Sequence, residues 1–261
     1  MGLYVPLLQI ANMDVFVYLA NCYYNFDMQY YTGRVLEIRL EIYKFPSYIF
    51  ECPPAAIPAP GQYLQAFSPQ DPDLALATTL FPSSLPVQEG ATSNIELHPS
   101  EKVDWEPGTN LQLRGPLGTG FKLPEEASRV ALVALGSHPA CLLPLMAQAL
   151  SQNAAVALFC NEPPPGLPAA VEVNRLSAYQ EATLWGDYTA FEMPIQILNT
   201  YQKRLGLPPD LPLPSNAEVL IHSPMPCAAL AACGVCSVKA KRGWKLTCKD
   251  GPVFQSNILT Q

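Results

Sequence analysis

Four of the eight cysteines lie within 22 residues near the end of the chain, at Cys227, Cys233, Cys236 and Cys248. Five, two and eleven residues separate them in turn. A [2Fe–2S] cluster needs two thiolates per iron, which three cysteines on one short loop and a fourth from farther along the chain can supply. The Ala and Gly residues in 228–234 are small enough to let backbone N–H groups approach the inorganic sulfides. The spacing therefore predicts a [2Fe–2S] site with these four ligands.

Three other interpretations of this segment remain open. A structural zinc site normally combines two Cys-x-x-Cys pairs, or one such pair with two histidines, whereas the segment has the single pair Cys233 and Cys236. A disulfide framework is typical of small exported domains, and we find no export signal in these 261 residues. Ordinary buried thiols are the third alternative. We apply that interpretation to the dispersed cysteines, Cys22, Cys52, Cys141 and Cys160.

The first half of the chain indicates a β-domain that would support this site. Residues 34–43 alternate between apolar and polar side chains, as in a half-buried strand. Several short strand-like runs follow, separated by Pro, Gly and Asp, and this spacing predicts a small antiparallel barrel over residues 33–124. The runs are residues 62–67, 74–81, 94–98 and 110–114.

The second half has a different period. Residues 130–135 form a continuous apolar run, typical of a parallel strand buried on both faces, and a helical pattern follows at 139–150. Strands that alternate with helices predict βαβ units. The later elements are strands at 154–159, 169–173 and 218–222 and a helix at 179–187. We therefore assign residues 1–32 to an N-terminal extension, 125–223 to an α/β domain and 224–261 to the cluster segment.

Composition excludes several classes of function. The chain has 49% hydrophobic and 14% charged residues, which indicates a folded protein with a substantial core. Its net charge of −7, with 15 Lys and Arg, offers no basic surface for nucleic acid. Residues 1–32 contain no Lys or Arg and are interrupted by polar residues, so they fit neither a signal peptide nor a spanning helix. We expect a cytoplasmic protein without membrane insertion.

Short motifs in the sequence resemble a known family. The run Cys233-Gly234-Val235-Cys236 and the ending Cys248-Lys249-Asp250-Gly251-Pro252-Val253-Phe254 resemble the cluster domain of the electron-transfer subunit of class 1B dihydroorotate dehydrogenase. The first cysteine gap is one residue longer than in the plant-type pattern. Gly115-Pro116-Leu117-Gly118-Thr119-Gly120-Phe121 resembles the GPLGxGF motif of the same subunits, and Pro60-Gly61-Gln62-Tyr63 is similar to a barrel strand of the ferredoxin reductase superfamily.

The resemblance implies a barrel that binds FAD and an α/β domain of the nicotinamide-binding type. It also implies electron transfer through flavin and cluster to a catalytic partner subunit, in pyrimidine biosynthesis. The matching positions imply that Ser83, Gly115, Gly118 and Gly120 bind the flavin cofactor. The family's flavin strand carries an Arg against the pyrophosphate, whereas residues 78–83 contain none.

The nucleotide turn also departs from the family. Residues 136–140 hold one Gly and a Pro where glycines would allow a pyrophosphate to approach the backbone, so we do not expect NAD(P) to bind. The sequence pairs neither His98 nor His138 with an acid or a nucleophile in a recognisable catalytic motif, and we interpret both as structural.

Two functions follow. The first is an iron–sulfur electron-transfer subunit, a component of an oxidoreductase rather than a complete enzyme, in a hetero-oligomer with its catalytic subunit. The second is a binding or assembly module that keeps the fold and cluster without flavin or nucleotide.

Overall fold

The computed structural model describes residues 29–39, 46–68, 77–136, 138–208 and 211–259. The strands are β1 (Tyr30–Arg39), β2 (Ser47–Cys52), β3 (Tyr63–Phe67), β4 (Thr78–Pro82), β5 (Val87–Glu89), β6 (Thr92–Pro99), β7 (Asn110–Leu117), β8 (Arg129–Ala134), β9 (Ala155–Phe159), β10 (Val171–Asn174), β11 (Tyr188–Pro194), β12 (Ala217–His222), β13 (Ser237–Ala240), β14 (Gly243–Leu246) and β15 (Val253–Gln255). The α-helices of these ranges are α1 (Leu143–Ser151), α2 (Tyr179–Trp185), α3 (Tyr201–Leu205) and α4 (Thr247–Asp250). None of them has the length and apolar character needed to cross a bilayer.

Six strands of the first half close into an antiparallel barrel. Their order is β2-β1-β7-β3-β4-β6, and an additional pairing between β2 and β6 completes the ring, with β5 attached to the outer side of β6. The residues that fill the barrel come from alternate positions of its strands, because successive side chains of a strand point to opposite faces. Those with no exposed surface include Val35, Phe50, Leu64, Leu80 and Leu113.

The second half forms a mostly parallel sheet with the order β10-β9-β8-β11-β12-β15. The first five strands are parallel, and β15 pairs antiparallel with β12 at the edge. Separate groups of buried apolar side chains cover the two faces of the sheet, as a sheet packed on both sides requires. The predicted fold, a ferredoxin reductase-like barrel followed by an α/β domain and a C-terminal cluster segment, is therefore confirmed.

Two strands lie close to the predicted domain boundaries. The extension was predicted to end at residue 32, but β1 begins at Tyr30, which pairs with Arg114 of β7. Backbone pairing and the high strand preference of Tyr outweigh the missing alternation there. Residues 224–261 were predicted as the cluster segment, and strand β15 of this segment pairs with β12 at the edge of the α/β sheet. Residues 1–28 lie outside the described part of the chain, and the domain division stays a prediction.

Candidate metal centre

The four cysteines form two pairs. The side chains of Cys227 and Cys233 hydrogen bond to each other, and so do those of Cys236 and Cys248. Cys236 and Cys248 are 1% and 5% exposed, whereas Cys233 lies at the surface. In the described part of the chain, no group of three or more His, Cys, Asp or Glu side chains is arranged to hold a single metal ion. Two pairs of thiolates are what the two irons of a [2Fe–2S] rhomb require.

The loop between the first two cysteines has an unusual backbone. Ala228, Ala229 and Ala231 have φ angles of 50°, 58° and 58°, in the left-handed region that favours glycine. Each such residue costs about 1–3 kcal/mol, and such strain persists where the surrounding structure needs the conformation. The turned backbone aims N–H groups of Leu230, Ala232 and Cys233 at the sulfur of Cys227. A cradle of N–H groups around sulfur is the environment that an anionic iron–sulfur cluster favours.

The same contacts govern the ionisation of the thiols in the metal-free protein. Burial opposes ionisation of Cys227, but the hydrogen bonds from the backbone N–H groups outweigh it and lower its pKa. The hydrogen bond from Cys248 lowers the pKa of Cys236 to about 5, and the pKa of Cys248 is raised by the same hydrogen bond. Cys236 and Cys248 therefore share one proton, which must leave when a metal binds both sulfurs.

The barrel holds this site by two buried polar side chains. The hydroxyl of Tyr63, on β3, donates to the carbonyl oxygen of Cys248 over 2.8 Å. The guanidinium Nη2 of Arg114, on β7, donates to the carbonyl oxygen of Ala228 in the strained loop. Arg114 is 4% exposed, and its charge acts on the sulfurs of Cys227 and Cys248. Arg114 thus connects the barrel to the backbone next to Cys227, and Tyr63 connects it to the backbone of Cys248.

The two sequence motifs that carry the family resemblance touch each other. In the glycine loop, residues 115–121, Thr119 N–H donates to the carbonyl oxygen of Gly251 over 2.6 Å. The carbonyl oxygen of Thr119 accepts from Val253 N–H over 3.3 Å. A Cβ at Gly118 would lie 2.5 Å from Cδ of Pro252, so only glycine allows this close approach. The glycine loop therefore joins the barrel to the segment that carries the fourth cysteine.

The residues predicted to bind flavin occupy protein-packed positions. Ser83 is 5% exposed, and its hydroxyl donates to the carbonyl oxygen of Glu96 over 3.3 Å. A Cβ at Gly115 would meet Leu64, and one at Gly120 would meet the carbonyl oxygen of Pro60. Close packing against protein accounts for these two glycines, and their role in cofactor binding stays a prediction, as does that of Ser83 and Gly118.

A cavity of about 450 Å³ lies between the barrel and the carboxyl ends of the parallel strands. All three histidines of the chain, His98, His138 and His222, line it. Phe81 of β4, the strand that corresponds to the family's flavin motif, forms part of the wall and contacts the ring of His222 edge-on, with centroids 4.7 Å apart. Pro226, the residue before Cys227, also lines the cavity, so it is continuous with the cluster loop.

A buried carboxyl group lies beside the cavity and packs against the turn that follows β8. Oε2 of Glu192, on β11, accepts from the backbone N–H of Gly136 over 3.0 Å, and a Cβ on Gly136 would collide with the Glu192 carboxyl group. Burial raises the pKa of Glu192 to about 7. Nε2 of His222 lies 3.3 Å from Oε1 of Glu192, but burial lowers the pKa of His222 to about 3, so it is neutral at pH 7.

Sequence reasoning missed three of these features because each joins residues far apart in the chain. The contacts are Arg114 with the cluster loop, Tyr63 with Cys248, and Glu192 with Gly136 and His222. An Arg between Leu113 and Gly115 in a predicted strand was the available signal for the first, since an Arg is seldom buried without a partner. Cys52, Cys141 and Cys160 are buried free thiols, as predicted, and Cys22 lies outside the described residues.

Comparison with known proteins supports this description. Residues 223–260 match the family model of the iron–sulfur cluster binding domain of dihydroorotate dehydrogenase B. The chain is 28% identical over 162 residues to the electron transfer subunit of dihydroorotate dehydrogenase B (NAD(+)) from Clostridium perfringens (strain 13 / Type A). That match covers 56% of this chain and 65%, just under two thirds, of the relative.

Solved structures share the fold at low sequence identity. An NADH-dependent reduced ferredoxin-NADP oxidoreductase, described in work on flavin-based electron bifurcation, superposes with a TM-score of 0.61 at 15% identity and covers 87% of this chain and 89% of its own. Ferredoxin-NADP+ reductase from Plasmodium falciparum gives a TM-score of 0.50 at 10% identity, over 73% of this chain and 95% of its own. The chain thus has a ferredoxin reductase-like fold, and its residues 223–260 are similar to the iron–sulfur cluster binding domain of dihydroorotate dehydrogenase B.

Proposed function

We propose that this protein is the electron-transfer component of an oxidoreductase, with a [2Fe–2S] cluster held by Cys227, Cys233, Cys236 and Cys248. When bound, the cluster accepts and donates one electron at a time. The observation that carries the proposal is the pairing of the four thiols, with N–H groups aimed at the sulfur of Cys227. The resemblance to an electron transfer subunit supports a catalytic partner in a hetero-oligomer and a place in pyrimidine biosynthesis.

The cavity fits the ring end of a flavin better than the whole of FAD. It has apolar walls, including Phe81 and Met225, together with the polar Thr79 and His222, as sites for planar aromatic ligands usually do. Its continuity with the cluster loop supports electron exchange between a ring bound there and the cluster. The wall contains no Lys or Arg among the described residues, so a pyrophosphate there would depend on backbone N–H groups.

NAD(P) is not part of the proposed function. The N–H group of Gly136 already donates to the carboxyl group of Glu192. This N–H group lies at the turn where a dinucleotide pyrophosphate would seek such donors. A second candidate function, a binding or assembly module that keeps the cluster without flavin and nucleotide, is favoured by this occupied turn.

The test uses protein purified without air. Iron, acid-labile sulfide, visible absorbance and the EPR spectrum after dithionite reduction report the cluster, and flavin released by heat separates the two candidate functions. Cys236→Ser should abolish the cluster because a hydroxyl is a poor ligand for iron in place of a thiolate. Cys141→Ala, which changes a buried thiol outside the four, should keep it. A colourless wild type that contains zinc, or equal loss of iron in both variants, contradicts the proposal.

A further inference from the structure

The segment between the last two ligands is a β-hairpin. Strand β13 begins one residue after Cys236, and β14 ends two residues before Cys248. The hairpin is closed at its base by a hydrogen bond of 3.0 Å from Thr247 N–H to the carbonyl oxygen of Cys236. Lys241 N–H, at the turn, donates to the carbonyl oxygen of Ile258 over 2.9 Å. The position of the hairpin is therefore fixed relative to the cluster ligands.

The outward face of this hairpin combines an exposed aromatic side chain with cationic ones. Val238 and Ala240 point inward and are 2% and 7% exposed. Trp244 is 68% exposed, and it lies opposite Lys239 in the strand pairing. Val235 lies in the sequence between Cys233, which is exposed, and Cys236, which is buried, and it is itself 52% exposed. Trp is over-represented among the residues that dominate binding energy at protein interfaces.

The charge of the hairpin is opposite to that of the protein. Residues 239–249 hold five of the 15 Lys and Arg and no Asp or Glu, although the chain has a net charge of −7. Lys245 is paired with Asp250 over 3.3 Å, whereas Lys239, Lys241 and Arg242 are exposed. The surface defined by Val235, Lys239, Lys241, Arg242 and Trp244 is called the hairpin surface below. An acidic partner is repelled by the rest of the molecule and attracted here, which orients the encounter.

We propose that the hairpin surface is the docking site for the acidic face of a redox partner protein, with Trp244 as its apolar anchor. The proposal rests on the proposed function, since the partner receives or supplies the electron of the cluster. A partner on this surface covers the exposed Cys233 and so approaches the cluster at its edge. Only an electron passes, and no bond is made or broken in either protein.

The charge of the surface can be tested with two small oxidants. Holoprotein reduced by dithionite is freed of excess reductant and mixed with ferricyanide, an anion, or hexaammineruthenium(III), a cation; each oxidant takes one electron from the cluster. We expect the ferricyanide rate to fall about threefold or more as ionic strength rises from about 0.01 to about 0.15 M, where the Debye length shrinks from about 30 to about 8 Å. A ferricyanide rate that rises with salt, as the net charge alone would give, overturns the proposal.

A matched pair of variants locates the effect. Lys239→Glu and Lys203→Glu change the net charge equally, and both side chains are exposed, but Lys203 lies on α3 and not on the hairpin surface. Lys239→Glu should slow ferricyanide at low salt and leave the rate at high salt unchanged, whereas Lys203→Glu should have a much smaller effect. Equal effects of the two variants contradict the assignment to the hairpin surface.

Docking itself can be tested by calorimetry with flavodoxin, an acidic one-electron carrier protein, as the probe. Trp244→Ala should weaken binding about tenfold or more, the size expected for an anchor residue. Val87→Ala, on β5 and 62% exposed, should leave it unchanged. Absence of binding at low salt, or equal binding by both variants, overturns the proposal.

Other occupants of this surface give different results. Self-association of the wild type that is lost in Lys239→Glu, measured by sedimentation velocity, would assign it to a second copy of the chain, and binding to phosphatidylserine vesicles would assign it to a membrane. Either result overturns the proposal. Failure of the proposed function is distinct, because the protein then lacks iron and is not bleached by dithionite before any acceptor is added.

Discussion

Replacement of Arg114 by Met should weaken the cluster without weakening the metal-free fold. Met keeps most of the length of the side chain, but it removes the hydrogen bond to Ala228 and the buried charge that acts on Cys227 and Cys248. A hydrogen bond from a charged donor contributes about 1.5–3 kcal/mol. In the loaded protein the guanidinium also faces the negative charge of the cluster, so the whole of this loss should appear there.

The metal-free protein should respond differently. Burial lowers the pKa of Arg114, although the guanidinium stays protonated at neutral pH. A buried cation costs desolvation energy, which the hydrogen bond to Ala228 offsets in the metal-free protein, and further compensation comes only when the thiols ionise and bind metal. Removal of the charge should therefore leave the free energy of unfolding of the metal-free protein unchanged or slightly higher.

Three measurements separate these contributions. Iron loss to a chelator should be about 10- to 100-fold faster in Arg114→Met, from the 1.5–3 kcal/mol above. The reduction potential of the cluster should become more negative by roughly 40 mV for each kcal/mol of lost attraction to the added electron. Urea unfolding of the metal-free protein measures its free energy of unfolding, which is the third quantity. Arg129→Met is the control, because Arg129 pairs with Asp187 at the surface over 2.6 Å and such pairs contribute about 1 kcal/mol or less.

Equal destabilisation of the loaded and metal-free forms of Arg114→Met would falsify this reasoning. In that case Arg114 would act only by packing between the barrel and the loop. An unchanged reduction potential together with faster iron loss would leave the hydrogen bond to Ala228 as the whole effect and refute the electrostatic part.

Three further changes have defined outcomes. Tyr63→Phe removes the donor to the carbonyl oxygen of Cys248 and should lower the free energy of unfolding by about 1–3 kcal/mol in urea, and an unchanged midpoint contradicts the contact. Burial raises the pKa of Glu192 to about 7, so the fold is most stable while this carboxyl group is protonated and loses stability as pH rises through about 7. Glu192→Gln should therefore raise the free energy of unfolding by about 3 kcal/mol near pH 8.5 and by little near pH 5. Equal effects of Glu192→Gln at the two pH values would refute the assigned pKa shift. A chain that begins at Thr32 lacks two paired residues of β1 and should melt below one that begins at Gln29.

The fold could be predicted from the sequence where the pattern of hydrophobic residues was strong. The apolar run 130–135 predicted β8 because burial on both faces imposes such a run. The alternation of residues 34–43 predicted a strand where β1 lies, but a bulge between Val35 and Glu37 buries Val35 and leaves Leu36 exposed. Strand β11 was missed because it carries Glu192 inside an apolar run, and β2 was missed because it lies between prolines in a stretch with no long repeat. Both strands are held by pairing with strands far away in the chain, and the local sequence pattern gives no information about these partners.

The candidate site was predictable to the same extent. Cysteine spacing is a local property, and it predicted the four cysteines that the structure brings together as two pairs. Their role as ligands stays a prediction. The left-handed backbone at Ala228 and Ala231 was not predictable, since alanine does not favour that region. Its cause is tertiary: the five-residue gap after Cys227 must turn its N–H groups toward one sulfur while Arg114 holds a carbonyl group from the other side.

The site has both buried and exposed positive charge in a protein whose net charge is negative. Arg114 is buried against the cluster loop, and Lys239, Lys241 and Arg242 are exposed on the hairpin surface. Each of these cations favours the reduced cluster, which carries one more negative charge than the oxidised one. Salt screens exposed charges far more than buried ones. The part of the reduction potential that falls as salt is added therefore belongs to the hairpin surface, and the part that persists at high salt and disappears in Arg114→Met belongs to the barrel.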